Sequence, residues 1–190
     1  MSLGVSILIV DCFDSFTYNL AHYLESVPGS QVTVIRVNQV KVESCRNFDA
    51  IVLSPGPGLP KDYPVLKEII LSFDKPIFGI CLGLQAIVEV FGGKLMNLPE
   101  VWHGIARKTF VDTEEDLFRN LPNHFLTGRY HSWVAKSVPE HFKLIARDMD
   151  GYIMGISHKY LPIKAVQFHP ESVLTEYGKE IMVNWLKTVF

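Results

Sequence analysis

Two short segments carry residue types that could make and break an acyl bond. The first is Gly79-Ile80-Cys81-Leu82-Gly83, a cysteine with glycine two positions away on either side. Pro76 to Ile80 reads as a buried strand feeding it, and Leu84 to Phe91 continues with helix-forming residues until Gly92-Gly93. Strand, Gly-x-Cys-x-Gly, helix is the context of a nucleophile elbow with cysteine in place of serine. The turn is tight, so a side chain at either glycine would collide with it. A thiol at a helix N-terminus sits in partial positive charge, which favours thiolate, the nucleophilic form. The Leu82 N–H would point at the place where an oxyanion forms. The competing reading of Cys81 is a small buried hydrophobe.

The second segment is His169-Pro170-Glu171-Ser172, just past an apolar strand from Ile163 to Phe168. A cysteine nucleophile needs a base, and the base needs an acceptor that orients it. His169 fits the first role, Glu171 the second, and Pro170 stiffens the turn between them. Of the other histidines, His22 and His141 read as surface or packed residues, while His124 and His158 carry no argument either way. A third segment, Ser54-Pro55-Gly56-Pro57-Gly58, follows the strand Ala50–Leu53 at the strand's carboxyl end, where open α/β sheets bind ligands. Its prolines fix the path and its glycines let backbone N–H groups approach a ligand; an ordinary turn is the alternative.

The elements that must position these residues alternate in type. Val5–Val10, Gln31–Val37 and Ala50–Leu53 read as strands of a parallel sheet. Phe16, Leu20, Leu24 and Val27 form an apolar stripe on a helix through Glu25, capped by Asp14 or Ser15, and Tyr63–Phe73 is a second helix. From Lys94 the pattern shifts to short β-like pieces, Ile105–Val111, Phe125–Tyr130, Trp133–Ser137, Lys143–Arg147 and Tyr152–Ser157, an antiparallel β region added to the α/β core. Thr175–Val189 closes as an amphipathic helix with Ile181, Trp185 and Leu186 inward. The expectation is one domain over residues 1–190: an open, mostly parallel, flavodoxin-like sheet flanked by helices, plus that antiparallel region. Met1-Ser2-Leu3 reads as an added remnant.

With 190 residues, 48% hydrophobic content and a net charge of −2, the chain has the balance of an ordinary globular protein, without the basic blocks of a nucleic-acid binder. No apolar run is long enough for a membrane span, and no signal peptide is expected. Three cysteines, Cys12, Cys45 and Cys81, show no metal spacing and no paired framework, which points to a reducing cytoplasm.

Pro55-Gly56-Pro57-Gly58, Gly79-Ile80-Cys81-Leu82-Gly83-Leu84-Gln85, Tyr130-His131-Ser132 and Gln167-Phe168-His169-Pro170-Glu171-Ser172 resemble, in order and spacing, the motifs of class I, triad-type glutamine amidotransferase domains. The resemblance spans essentially the whole chain. With Asp14-Ser15-Phe16-Thr17-Tyr18-Asn19-Leu20 it is most similar to the glutaminase subunits of anthranilate synthase and aminodeoxychorismate synthase. It implies Cys81 as nucleophile, His169 as general acid and base, and Glu171 as its partner. It further implies that the loop of Gly56, Pro57 and Gly58 and the Leu82 amide supply the oxyanion donors and line a glutamine site, and that Gln85, Ser132 and the backbone at Trp133 hold the amino-acid end. It implies L-glutamine as substrate, no metal or cofactor in this chain, and a separate chorismate-utilising synthase subunit with Mg²⁺ as ammonia acceptor. Leu84, Trp133 and Ile105 depart from the usual pattern; Leu84 and Trp133 are expected beside the site. A non-catalytic subunit of the same fold and a stand-alone cysteine hydrolase are the competing classes.

Overall fold

A computed structural model describes residues 4–190; Met1-Ser2-Leu3 lie outside the described residues. Among the described residues nine strands form one sheet. They are β1 (Val5–Asp11), β2 (Ser30–Arg36), β3 (Ala50–Leu53), β4 (Ile77–Ile80), β5 (Leu95–Val111), β6 (His124–Ala135), β7 (Phe142–Asp148), β8 (Ile153–His158) and β9 (Ile163–Val166), in the spatial order β2-β1-β3-β4-β9-β8-β7-β5-β6. The first five in that order run parallel, and β8, β7, β5 and β6 continue the same sheet antiparallel. The expected antiparallel region is therefore the far half of one sheet, joined to the parallel half at the β9–β8 seam.

Helices α1 (Thr17–Glu25), α2 (Val42–Cys45), α3 (Pro64–Ser72), α4 (Leu82–Val90) and α5 (Gly178–Leu186) complete the chain. The central strands β1, β3 and β4 are largely apolar on both faces because both are covered, whereas β2 at the edge alternates with exposed Gln31 and Thr33. Ile7 and Ile9 of β1 belong to the core layer shared with Leu20 and Leu24 of α1 and Trp185 of α5, whereas Leu8 and Val10 belong to the layer shared with Leu66 and Ile69 of α3 and Ile87 of α4. Phe78 of β4 stacks on Trp185 with ring centroids 5.4 Å apart.

Three local expectations need correction. Phe16 is 47% exposed and precedes α1 instead of joining its buried stripe, which is Leu20, Ala21 and Leu24 with Thr17. The Phe16 N–H donates to Asp14 Oδ2, and the Thr17 hydroxyl donates to Asp11 Oδ1, so the turn is tied to the end of β1 and swings Phe16 outward. Phe125–Tyr130 and Trp133–Ser137 are parts of one strand, β6, running through Tyr130-His131-Ser132. The last helix starts at Gly178, not Thr175: Tyr177 is left-handed with φ 59°, and Gly178 lies so close to the Pro170 carbonyl that a Cβ would run into it.

Candidate active site

Cys81 sits where β4 turns into α4. Its backbone has φ 51° and ψ −98°, a conformation that costs an L-residue about 1–3 kcal/mol and persists only when its surroundings enforce it. They do so from both sides. The Cys81 N–H donates to the Val166 carbonyl of β9 at 2.8 Å, and the Cys81 carbonyl accepts the Gln85 N–H at 3.0 Å, closing the first turn of α4. The flanking glycines are required by the space available. A Cβ on Gly79 would lie 2.7 Å from Gly83 C and Ile87 Cδ1, and one on Gly83 would lie 2.5 Å from the Leu53 carbonyl oxygen. Tightness around the elbow, inferred from residue type alone, is thus a measurable contact between β3, β4 and α4.

His169 follows β9, the neighbour of β4 in the sheet, and this adjacency brings residues far apart in sequence to one place. Nδ1 of His169 lies 2.6 Å from Glu171 Oε1, and both residues are buried. A carboxylate there accepts from Nδ1–H, leaving Nε2 as the working nitrogen. That atom is buried and has no hydrogen-bond partner among the described residues. Burial by itself would lower the tendency of the ring to hold a proton. The Cys81 sulfur and the Glu171 carboxylate outweigh it and raise the His169 pKa well above 6.5. The turn is pinned from behind: the Thr175 hydroxyl donates to the His169 carbonyl, and the His169 N–H donates to the Gly128 carbonyl of β6 at 3.2 Å.

The Ser54–Gly58 loop lies across the elbow. Gly56 is packed so closely against the Cys12 carbonyl that a Cβ could not fit, and Gly58 has φ 78°. The Tyr63 hydroxyl donates to the Pro57 carbonyl at 2.9 Å and fixes the tip of the loop. Neither the Gly58 nor the Leu82 N–H donates to another group among the described residues, so both remain available for a developing oxyanion.

Gln85 is buried, and its Nε2 donates to the Trp133 carbonyl at 3.0 Å, joining α4 to β6. Ser132 and Trp133 are half-buried on β6. Leu84, expected beside the site, is instead wholly inside the core layer of α3 and α4, because its position on α4 turns it away from the elbow.

Four nearby residues have roles that the sequence does not reveal. Tyr130 presents its ring edge-on to His169 at a centroid distance of 4.8 Å, and its hydroxyl is 2.9 Å from Ser172 Oγ. Asp14, on the turn after β1, is raised above the ordinary carboxylate range, chiefly by burial, with Glu171 adding and the Phe16 N–H and His169 opposing. Thr175 is the pin just described. Gln167 donates from Nε2 to Cys81 Sγ at 3.4 Å. Tyr130 and Gln167 stand inside motifs legible in the sequence; only the fold shows what they touch.

A cysteine on a strained elbow, a buried His–Glu pair on the turn just past the adjoining strand, and N–H groups at Leu82 and Gly58 with no partner among the described residues form an arrangement suited to acyl transfer from an amide. Comparisons with known proteins agree. Residues 8–189 match the family model described as glutamine amidotransferase class-I. The chain is 44% identical over 173 residues to "Anthranilate synthase component 2" of Methanocaldococcus jannaschii, covering 90% of this chain and 86% of that one. It is 40% identical over 191 residues to "Aminodeoxychorismate/anthranilate synthase component 2" of Bacillus subtilis, covering 96% of each. A crystal structure of a Thermoplasma acidophilum protein described as a candidate GMP synthase subunit superposes with a TM-score of 0.89 at 27% identity, covering 98% of this chain and 94% of that one. Motifs, fold and relatives converge, and the chain belongs to the class-I glutamine amidotransferase family.

Proposed function

We propose that this chain is the glutaminase subunit of a chorismate-utilising synthase, releasing ammonia from L-glutamine for a partner that makes anthranilate. The observation that carries the chemistry is the His169–Glu171 hydrogen bond of 2.6 Å beside a cysteine held in a strained, N-terminal helix position. In this reading the Cys81 thiolate attacks the side-chain amide carbon of glutamine, and the negative charge that develops on oxygen is met by the Leu82 and Gly58 N–H groups. Collapse breaks the C–N bond, and His169 Nε2–H protonates the departing nitrogen, which leaves as ammonia. Water, its proton taken by His169, then hydrolyses the γ-glutamyl thioester, releasing glutamate and restoring the thiolate–imidazolium pair. Ser132, Trp133 and Gln85 form the wall for the amino-acid end of the substrate.

The partner follows from what the relatives are. Several are named component 2 of anthranilate synthase, which supports a separate component 1 as acceptor, with Mg²⁺ at the partner's chorismate site. No cofactor is needed for the steps assigned to this chain. The cytoplasmic setting is supported by three free cysteines. A second reading, service to an aminodeoxychorismate synthase as well, is favoured by the Bacillus relative whose name joins both activities.

The test is reconstitution with the organism's own chorismate-utilising synthases, glutamine, chorismate and Mg²⁺. Cys81→Ala is expected to lose glutamine-dependent product by ~1000-fold or more, the scale on which loss of an acting nucleophile is felt. Added ammonium should restore product, since the partner then receives ammonia directly. Retained glutamine-dependent synthesis in that variant would overturn the triad, and the identity of the product names the partner.

A further inference from the structure

Gln167 is fully buried between the end of β9 and His169, and two contacts define its amide. Its Nε2 donates to Cys81 Sγ at 3.4 Å, its Oε1 accepts from Gln85 Nε2 at 3.4 Å, and the same Gln85 nitrogen donates to the Trp133 carbonyl at 3.0 Å. Its backbone N–H is fixed separately to the Met154 carbonyl at 3.0 Å. The chain of amides has only one possible direction. The Trp133 carbonyl can only accept, so it draws the Gln85 NH₂ toward itself. The second hydrogen of that NH₂ reaches Gln167 Oε1, and the Gln167 NH₂ is left facing the sulfur. The sulfur at the end must therefore accept. A thiolate is purely an acceptor and gains most from such a bond, because hydrogen bonds to charged groups are the stronger ones.

We propose that Gln167 is a positioning residue for the nucleophile: its amide holds Cys81 Sγ as a hydrogen-bond acceptor, and the Trp133 carbonyl, acting through Gln85, sets the direction of that bond. The proposal rests on Cys81 being the nucleophile. It also gives the β6 wall a physical connection to the sulfur, since a shift of the Trp133 carbonyl would loosen the first link of the chain. The charged and titratable groups around the sulfur are His169 and Glu171 on the turn after β9, with Tyr130 and His131 of β6 and Asp14 of the turn after β1 beyond them. None of them is altered by changing Gln167.

The experiment is the rate of iodoacetamide alkylation against pH for the full chain, with the Cys81 adduct measured by peptide mass. Gln167→Met keeps the length and removes the donor, and Gln167→Glu puts an acceptor and a negative charge in its place. The midpoint of the alkylation profile, a property of the coupled Cys–His pair, is expected to rise by about one pH unit in Gln167→Met, slowing alkylation ~10-fold at pH values below both midpoints. It should rise further in Gln167→Glu. A packing role would shift the melting temperature and leave this order of midpoints absent, so equal midpoints in wild type and a folded Gln167→Met overturn the proposal. Should the Gln167 variants fail to fold, Gln85→Met, one link back, must raise the midpoint in the same direction, and an unchanged midpoint there is equally fatal. Failure of the nucleophile assignment is separate: it would appear as glutamine hydrolysis by a Cys81→Ser variant with its partner, whatever the midpoints.

Discussion

The Glu171 carboxylate does more than orient a ring. It shares with Cys81 the task of keeping a buried imidazole protonated against the cost of burial, and the His169 pKa is raised well above 6.5 as a result. Glu171→Gln keeps a hydrogen-bond acceptor near Nδ1 and removes the charge. Glutamine-dependent turnover is expected to fall by ~100-fold. The sign of the pH effect follows: without the carboxylate the imidazolium loses its proton at lower pH, so the alkaline limb of the rate profile moves to lower pH. A profile with an unmoved alkaline limb would show that Glu171 acts by geometry alone. At this scale the sequence is most legible. Cys81, His169 and Glu171 announce themselves because the chemistry restricts residue type and because Gly79 and Gly83 answer a steric demand that depends on neighbours along the chain. Gln167 and Tyr130 do not, since their partners are Cys81 and His169, reached only through the sheet.

Among the elements, the β4–α4 junction is the least tolerant. Gly83 lies against the Leu53 carbonyl and Cβ, both backbone-fixed on β3. Gly83→Ala is expected to cost about 3 kcal/mol or more, since neither α4 nor β3 can move without disturbing the core. Chemical denaturation should show the drop, with loss of glutaminase activity in whatever fraction still folds. Gly92, by contrast, has open space around a Cβ position but φ 80°, so Gly92→Ala should cost only about 1 kcal/mol. The limits of sequence reading also lie here. The parallel strands and their helices are legible because β1, β3 and β4 are apolar runs and α1, α3 and α4 keep helical spacing. The first half of β5, Leu95–Gly104, contains Pro99 and Glu100 and carries no strand pattern. It is extended because β6 pairs with it across register shifts between Asn97 and Trp102 and between His103 and Ile105. Likewise β6 reads as two strands because the polar Tyr130-His131-Ser132 interrupts the apolar pattern, whereas burial of His131 inside the sheet carries the strand through.

For the whole molecule, two buried histidines make stability depend on pH in opposite senses. His131 is held down to about 3, first by burial and then by Arg129 and His169, with a backbone contact at Trp133 opposing. Its folded form stays neutral while the unfolded chain takes up a proton below 6.5. The unfolded state therefore binds more protons between pH 6.5 and about 3, and stability falls as pH falls through that window. From pH 7 to pH 5 this histidine alone is expected to remove ~2 kcal/mol. His169, raised instead of lowered, contributes stability that is full below 6.5 and lost as pH rises through its folded pKa. Stability should therefore peak near neutrality. His131→Phe, which keeps a ring beside Trp102, is expected to flatten the acid side of a plot of unfolding free energy against pH and leave the alkaline side unchanged. An acid slope as steep as wild type would place the responsible groups elsewhere.

The sheet order has a consequence for how the enzyme comes into being. β4 leads into the cysteine, yet its partner on one side is β9, the last strand among the described residues, with β5 to β8 lying between them in sequence. During synthesis the thiol segment is made well before the strand that accepts the Cys81 N–H and delivers the histidine. A growing or truncated chain ending before Ile163 lacks the Val166 carbonyl that holds the Cys81 N–H, lacks the His–Glu pair, and has an open edge on both β4 and β8. Reactivity thus waits on β9 and the turn after it, and a copy cut short before them is harmless to glutamine but exposed to clumping.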